Sequence, residues 1–185
     1  FLIRLFMVPC FHYLRLWDVS TANRVDNFLT ISHAVQARIK RWWKRDSQIL
    51  YPPVDVERLE ATSDVGFVSP FGDEPYYVYL GALVPYKRAD LAVEVCRASG
   101  RNLLVIGNGS EIKKLKESSG NKIKFITNAD DKLVKQALSN AKALLFPAEE
   151  DFGIVVLEAM ACQTPVIAYH KGGAVDTVTD ETGLF

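Results

Sequence analysis

The chain has 185 residues, of which 49% are hydrophobic and 24% charged, a composition typical of a globular protein. Its 22 basic and 22 acidic residues give a formal net charge of zero, which argues against a general nucleic-acid binder. The three cysteines are far apart and form no CxxC pair, so they favour neither a zinc site nor a disulfide framework. We therefore expect a cytoplasmic protein.

The first 17 residues are apolar, but Arg4, Pro9 and Arg15 interrupt them. The stretch is too short and too charged for a membrane-spanning helix, and it lacks the layout of a signal peptide. Because the chain starts without Met and stops directly after Thr-Gly-Leu-Phe, we expect both ends to be cut from a longer protein.

The next segment predicts a short strand over 27–32 and a helix over 34–44 with Ser32 as its N-cap. An extended run over 48–55 contains Pro52-Pro53, a pair that commonly marks a connection. We place a domain boundary there, so that 1–55 is the remnant of a first domain and 56–185 a second domain. Residues 57–74 are predicted to be a loop.

From Tyr76 onwards, apolar runs alternate with segments of helical spacing. The predicted strands cover 76–83, 102–107, 122–127, 142–147 and 164–169. The predicted helices cover 88–99, 111–118, 130–141 and 153–162, with a short helical turn in 172–180. This alternation predicts an α/β, Rossmann-like parallel sheet with helices on both faces. Ligands of such sheets bind at the carboxyl ends of the strands.

Two carboxylates, Glu150 and Glu158, flank the predicted start of the helix after the fourth strand. Side chains lean towards the N-terminus of a helix, so both can face one crevice. The backbone amides of Phe152, Gly153 and Ile154 would form an anion site at the start of this helix. Carboxylates beside such amides suit a ligand with hydroxyls and phosphates, such as a sugar nucleotide. In the alternative interpretation, Glu150 favours the helix dipole and Glu158 pairs with a structural lysine.

Lys87 and Arg88 lie in the first strand-to-helix connection. Cations are unfavourable at a helix N-terminus, so an anionic partner explains them better than a solvated first turn does. Gly107 begins a Gly-Asn-Gly turn after the second strand, but Ile112 stands where a dinucleotide-binding fingerprint needs its third glycine. We interpret Gly107 as part of a tight turn near a nucleotide.

The segment 38–45, RIKRWWKR, mixes five basic residues with Trp42 and Trp43. It is typical of a solvated helix end whose tryptophans are tucked into the domain. It also fits a peripheral contact with an anionic membrane surface. The sequence leaves both open.

Five motifs in the same order resemble the retaining glycosyltransferases of the GT-B type, family 4. PAEEDFGIVVLEAMACQTPVIA resembles their E-x7-E signature, and SHAVQARIKRWWKRDSQILYPPVD the end of their N-terminal domain with its connection. YLGALVPYKRADLAVE, LVIGNGSEIKKL and the KGGAVDTV and TGLF segments resemble parts of their donor-binding domain. The resemblance runs from about Trp17 to the end of the chain.

The resemblance implies that Glu150 contacts the hydroxyls of the donor sugar and Glu158 the ribose. Lys87, with Arg88, would hold the diphosphate. Base contacts are expected near Thr127 and Asn128, through backbone groups. Three residues depart from the family pattern: Ala82 replaces a usual Arg, Gln163 a usual Gly, and Asp176 a common Glu.

On this basis we expect a domain that binds a nucleoside-diphosphate sugar and donates its hexose, with retention, to a glycan or lipid-linked acceptor. No cofactor is expected, and the lack of an Asp-x-Asp motif gives no support to a metal-bound diphosphate. The chain alone, with its second domain also truncated at the C-terminus, is expected to bind donor without transferring. The alternatives are an epimerase or hydrolase of the same architecture, and a non-catalytic nucleotide-binding module.

Overall fold

The computed structural model of the chain describes residues 2–59 and 67–185. The chain divides into two compact units, Phe1–Tyr51 and Pro52–Phe185. The division after residue 51 lies within the segment predicted to be the connection, ahead of the boundary that we placed after residue 55.

The first unit alternates helices with very short strands: α1 (Leu2–Ala22), β1 (Leu29–Thr30), α2 (His33–Trp43) and β2 (Gln48–Ile49). The two strands pair in parallel. Ser32 caps α2 as predicted, because its hydroxyl oxygen accepts a hydrogen bond from the Val35 amide at 3.2 Å.

The sequence analysis assigned no element to the segment that forms α1, which contains Pro9 and exposes many apolar side chains. Its later part is fastened to α2, since the Trp43 indole donates a hydrogen bond to Asp18 Oδ2 at 2.8 Å. Within the described ranges 2–59 and 67–185, no helix has the length and apolar character needed to cross a membrane.

The two tryptophans of segment 38–45 differ in their surroundings. Trp43 packs against Phe28, with ring centroids 5.3 Å apart. Trp42 is 63% exposed, and the guanidinium of Arg41 lies 5.0 Å from its ring. The interpretation of tucked-in tryptophans therefore holds for Trp43 but not for Trp42.

The second unit contains the predicted alternation. Its strands are β3 (Tyr76–Leu80), β4 (Asn102–Ile106), β5 (Ile123–Ile126), β6 (Leu144–Phe146), β7 (Val166–Ala168) and β8 (Gly183–Leu184). Its helices are α3 (Val56–Leu59), α4 (Ala89–Ala98), α5 (Ile112–Ser119), α6 (Asp131–Ser139), α7 (Ile154–Ala161) and α8 (Ala174–Thr177), and a short 3-10 helix, Pro85–Lys87, precedes α4.

Six strands form one sheet in the order β5-β4-β3-β6-β7-β8, and every neighbouring pair is parallel. The predicted parallel α/β fold is confirmed. The sequence missed β8, because a two-residue strand beginning with glycine has no apolar run to reveal it.

The predicted loop 57–74 is wrong at its start, where α3 is helical. Asp55 begins this turn: its Oδ1 accepts a hydrogen bond from the Arg58 amide at 3.1 Å, as an N-terminal capping side chain does. The part of that prediction covering residues 60–66 lies outside the described residues.

The sheet is covered by helices on both faces, as predicted. Against one face pack α3, α6, α7 and α8, around buried strand residues such as Val78 and Leu144. Against the other face pack α4 and α5, around Leu103 and Val105. All five residues of β4 are buried, which is why the central strands appear as continuous apolar runs in the sequence.

Candidate functional site

The centre of the sheet is the point from which the connections diverge. From β3 the chain passes through α4 to β4 on one side, whereas from β6 it passes through α7 to β7 on the other. The loops after β3 (81–88) and after β6 (147–153) therefore leave neighbouring strands in opposite directions. Such a switch point opens a crevice at the carboxyl ends of the strands, where ligands of open α/β sheets bind.

Two side chains predicted for the site meet at this crevice. Lys87 Nζ lies 2.5 Å from Glu150 Oε1, and the two side chains are only 21% and 18% exposed. Charges this far removed from water need a partner, and each supplies one to the other. The sequence predicted both residues for one ligand but not the ion pair between them.

Lys87 is positioned by the tight backbone of its loop. It ends the short 3-10 helix, its amide donates to the Val84 carbonyl at 3.0 Å, and Arg88 follows with φ +53°. The Arg88 guanidinium turns to Asp90, with Nε 3.1 Å from Oδ1. This contact raises the pKa of Arg88 and lowers that of the Asp90 carboxyl.

Arg88 thus lies in the predicted loop but shares its charge with a carboxylate of its own helix. Ala82 contributes no cation where the family pattern has one. Lys87 is the cation that this loop directs at Glu150.

Glu150 is held by a clamp between the loops after β6 and β7. The Gly173 amide donates to the Glu150 carbonyl at 2.8 Å. A Cβ on Gly172 would lie 2.3 Å from the same carbonyl oxygen, and one on Gly173 would lie 2.4 Å from Phe152 Cα. The Gly-Gly pair is therefore needed for the close approach that fixes Glu150.

Gly107 has a comparable role on the other side of the crevice. A Cβ there would lie 1.9 Å from the Gly81 carbonyl oxygen, and its φ is +145°. Beside it, the Leu83 amide donates to the Asn108 carbonyl at 2.9 Å. Gly107 thus lets the loop after β4 pack directly on the loop that carries Lys87.

The start of α7 faces the same region. Phe152 is a buried core side chain, and Gly153, with φ +83°, precedes the helix without any side chain capping it. Ile154 is exposed. Uncapped amides at a helix start carry partial positive charge and suit an anion. The anion-binding role of the backbone amides of Phe152, Gly153 and Ile154 stays a prediction.

Glu158 lies in the second turn of α7 and is half-buried. Burial raises the pKa of its carboxyl; the positive charge of Arg58 opposes this shift and the negative charge of Asp131 adds to it. The sequence analysis missed Arg58, which belongs to α3 and forms an ion pair with Asp131. The only local signal was Asp55 three residues before it, the spacing of a helical turn.

Thr127 and Asn128 follow β5, the outermost strand on that side. Thr127 is partly buried and Asn128 exposed. The structure places them at the same carboxyl edge of the sheet as Lys87 and Glu150, two strands away from β3, which precedes Lys87, and three from β6, which precedes Glu150. In the described part of the chain, no group of three or more His, Cys, Asp or Glu side chains is arranged to hold a metal ion.

A six-stranded parallel sheet, glycine-lined loops at its switch point, an uncapped helix start and a partly buried Lys–Glu pair define an α/β, Rossmann-like domain of the GT-B type. The family model described as "Glycosyl transferases group 1" matches residues 65–185. The chain belongs to this family, which confirms the resemblance to GT-B glycosyltransferases of family 4.

Among curated proteins, the chain is similar to the D-inositol 3-phosphate glycosyltransferase of Mycobacteroides abscessus. The two are 29% identical over 182 residues, which cover 90% of this chain and 39% of the relative. The chain thus spans well under half of that protein's length.

Solved structures share the fold. Sucrose-phosphate synthase from Thermosynechococcus elongatus matches with a TM-score of 0.80 and 25% identity, over 92% of this chain and 47% of that one. The Anabaena protein HepE, solved in complex with UDP and glucose, matches with a TM-score of 0.77 and 21% identity, over 92% and 52%. These likenesses show a shared fold, and the family itself is shown by the match of the family model to residues 65–185.

Proposed function

We propose that the protein of which this chain is part transfers a hexose from a nucleoside-diphosphate sugar to a glycan or lipid-linked acceptor, with retention at the anomeric carbon. The observation that carries this proposal is the Lys87–Glu150 pair, 2.5 Å apart at the switch point of the sheet. It brings together a cation that can bind phosphate and a carboxylate that can accept from hydroxyls, the two groups that the junction between diphosphate and sugar of such a donor would need.

Each residue then has a role set by its chemistry. Lys87 and the amides at the start of α7 stabilise the diphosphate as it gains negative charge, and Arg88 adds a second cation at the rim. Glu150 accepts hydrogen bonds from the sugar hydroxyls. Glu158 accepts them from the ribose, and the backbone near Thr127 and Asn128 contacts the base.

The reaction needs no protein nucleophile. The bond between the anomeric carbon and the diphosphate oxygen breaks, and the acceptor oxygen bonds to that carbon on the same face. The acceptor's proton passes to the released diphosphate. No divalent metal is required in this scheme, because Lys87 and the helix amides neutralise the leaving group.

The relatives support the class of ligand. HepE was solved with UDP and glucose, sucrose-phosphate synthase is named for a sugar product, and the Mycobacteroides protein is named as a glycosyltransferase. Since the chain spans only part of each, we expect it to bind donor by itself but to transfer nothing without the remainder of the acceptor domain.

Calorimetric titration with UDP, GDP and ADP, and with their nucleosides, tests the proposal. Lys87→Ala should weaken diphosphate binding by about 2 kcal/mol, the order of a hydrogen bond between charged groups, and leave the nucleoside unaffected. Lys114→Ala is the matched control, because Lys114 also pairs with a glutamate, Glu111, but at the surface. Equal losses for diphosphate and nucleoside would make Lys87 structural.

Product analysis with the longer protein distinguishes the remaining activities. Transfer requires an acceptor, whereas epimerisation or hydrolysis of the donor does not, and a binding module gives no product. EDTA should leave transfer unchanged. Loss of transfer in EDTA that magnesium or manganese restores would contradict the metal-free scheme.

We also propose that segment 38–45 contacts an anionic membrane surface from the cytoplasmic side. Its support is Trp42, which is exposed beside Arg41, an arrangement that suits the interface between lipid headgroups and water. Co-sedimentation with vesicles containing phosphatidylglycerol should decrease for Trp42→Ala, and vesicles of phosphatidylcholine alone serve as the control. Unchanged sedimentation would contradict this contact.

A further inference from the structure

The strand that leads into the Lys87 loop carries two buried tyrosines, Tyr76 and Tyr79, on opposite faces of the sheet. Both hydroxyls donate to backbone carbonyls. Tyr76 Oη donates to the Ala137 carbonyl in α6 at 2.7 Å, which joins a helix to the core. Tyr79 Oη lies 3.3 Å from the Ala82 carbonyl and 3.3 Å from the Lys87 carbonyl, both in the loop that starts the site.

The two halves of this loop are held differently. Its first half is fixed to the neighbouring loop after β4, since the Leu83 amide donates to Asn108 and the Leu83 carbonyl accepts from the Glu111 amide, both at 2.9 Å. In its second half, the amides of Lys87 and Arg88 donate within the turn itself, to the Val84 and Pro85 carbonyls. The Tyr79 hydroxyl, shared between Ala82 and Lys87, links the second half to the first.

The side chain of Lys87 has its own tether, the ion pair with Glu150. A phosphate that binds Lys87 competes for that tether, because one ammonium then serves two anions. Once a phosphate has weakened the ion pair, the position of the Lys87 backbone depends on other contacts. The Tyr79 hydroxyl supplies such a contact, since it donates to the Lys87 carbonyl.

We propose that Tyr79 is a positioning residue: through its hydroxyl it fixes the backbone of Lys87, and so the cation, for the diphosphate of the donor. This inference rests on the proposed function. Burial, with the negative charges of Glu150 and Asp90, raises the pKa of the Tyr79 hydroxyl, so the group remains a protonated donor at all physiological pH values.

The test uses Tyr79→Phe, which removes only the oxygen, and Tyr76→Phe as a matched control on the same strand. Both changes should lower the melting temperature. Tyr79→Phe alone should weaken binding of UDP or GDP by about three- to tenfold, the effect of one neutral hydrogen bond, while the matching nucleoside binds as before. Tyr76→Phe should leave both affinities unchanged.

A double-mutant cycle separates positioning from general destabilisation. If Tyr79 acts through Lys87, adding Tyr79→Phe to Lys87→Ala should weaken diphosphate binding no further. Hydrogen exchange of a peptide covering 84–91 should accelerate in Tyr79→Phe and not in Tyr76→Phe. Should the phenylalanine variant fail to fold, Tyr79→Met offers a second side chain without the hydroxyl.

The outcomes distinguish the two proposals. If the unaltered chain binds no nucleoside diphosphate, the proposed function is overturned and this inference with it. If it binds, and Lys87→Ala weakens the diphosphate while Tyr79→Phe does not, only the role of Tyr79 is overturned. Additive effects in the double mutant would likewise show that Tyr79 does not act through Lys87.

Discussion

Glu150 and Glu158 stand on one short segment, the first in the loop after β6 and the second in α7, yet their surroundings are opposite. Glu150 is clamped by backbone contacts with the Gly172-Gly173 pair and neutralised by Lys87 at 2.5 Å. Glu158 is half-buried beside Arg58 and Asp131, whose opposed charges leave its pKa raised by burial.

The difference shows how one motif can place two carboxylates in two states. A carboxylate paired with a cation is oriented by it, and an anionic ligand competes with the carboxylate for that cation. Glu158 is in the other state: burial disfavours its charge, and within the described residues no close ion pair offsets that cost. Its oxygens therefore stay available for a ligand's hydroxyls.

The largest effect is expected from the clamp around Glu150. Gly172→Ala should lower the free energy of unfolding by about 2–4 kcal/mol, because φ is +70° and the new Cβ would lie 2.3 Å from the Glu150 carbonyl oxygen. Gly100→Ala is the control, since φ is +64° but no atom lies within 4 Å, and it should cost about 1 kcal/mol. Urea denaturation measures both; equal losses would mean that the loops are not clamped.

Breaking the ion pair should separate the two ligand types. Glu150→Gln leaves Lys87 free of its competing carboxylate, so a nucleoside diphosphate should bind at least as tightly as before. The sugar nucleotide should bind more weakly by about 1–2 kcal/mol, because a charged acceptor for its hydroxyls becomes neutral. Calorimetry with both ligands checks this, and weaker binding of the diphosphate itself would contradict the assigned role.

Glu158→Gln, unlike Glu150→Gln, should not distinguish the nucleoside diphosphate from the sugar nucleotide. If Glu158 meets the ribose, nucleoside, diphosphate and sugar nucleotide should all bind more weakly, each by about 1–2 kcal/mol. The same titrations with the same three ligands measure it. A loss confined to the sugar nucleotide would mean that Glu158, and not Glu150, meets the transferred sugar.

The raised pKa of Glu158 predicts a dependence of stability on pH. Its native state binds a proton more readily than the unfolded chain, so this group's contribution favours folding at low pH and declines as pH rises through the native pKa. Glu158→Gln should therefore stabilise the chain at pH 7, by less than about 1 kcal/mol since the carboxyl is half-exposed. The gain in stability should shrink towards pH 4, and thermal melts between pH 7 and pH 4 measure it. A gain that does not change with pH would contradict the prediction.

The smallest effect is expected at the end of α7. Gln163 has φ +59°, a conformation that glycine adopts without strain, and glycine is usual here in the family pattern. Gln163→Gly should raise the free energy of unfolding by about 0.5 kcal/mol, since the relief of strain exceeds the added freedom of the unfolded chain. Affinity for nucleotides should stay the same. Destabilisation in urea would show that the Gln163 side chain contributes contacts that outweigh its strain.

Most of the sheet could be predicted because burial of parallel strands on both faces leaves a direct trace in the sequence. Five of the six strands of the second unit lie within predicted runs, and β4 is buried throughout. The helix start at Gly153 and the N-cap Ser32 were also accessible, since capping depends on residues adjacent in the chain. β8 and α1 were missed because neither combines a clear period with terminal signals.

The sequence by itself determined the fold class, the family and the loops in which site residues lie, because periodicity, turn residues and motif order are local properties. Only the tertiary structure decided which charges meet. Lys87 and Glu150 are far apart in the chain, as are Glu158 and Arg58, and no local spacing relates them. Their contacts depend on which strands become neighbours and how closely glycine-lined loops approach, and the Tyr79 hydroxyl lies under the Lys87 loop for the same reason.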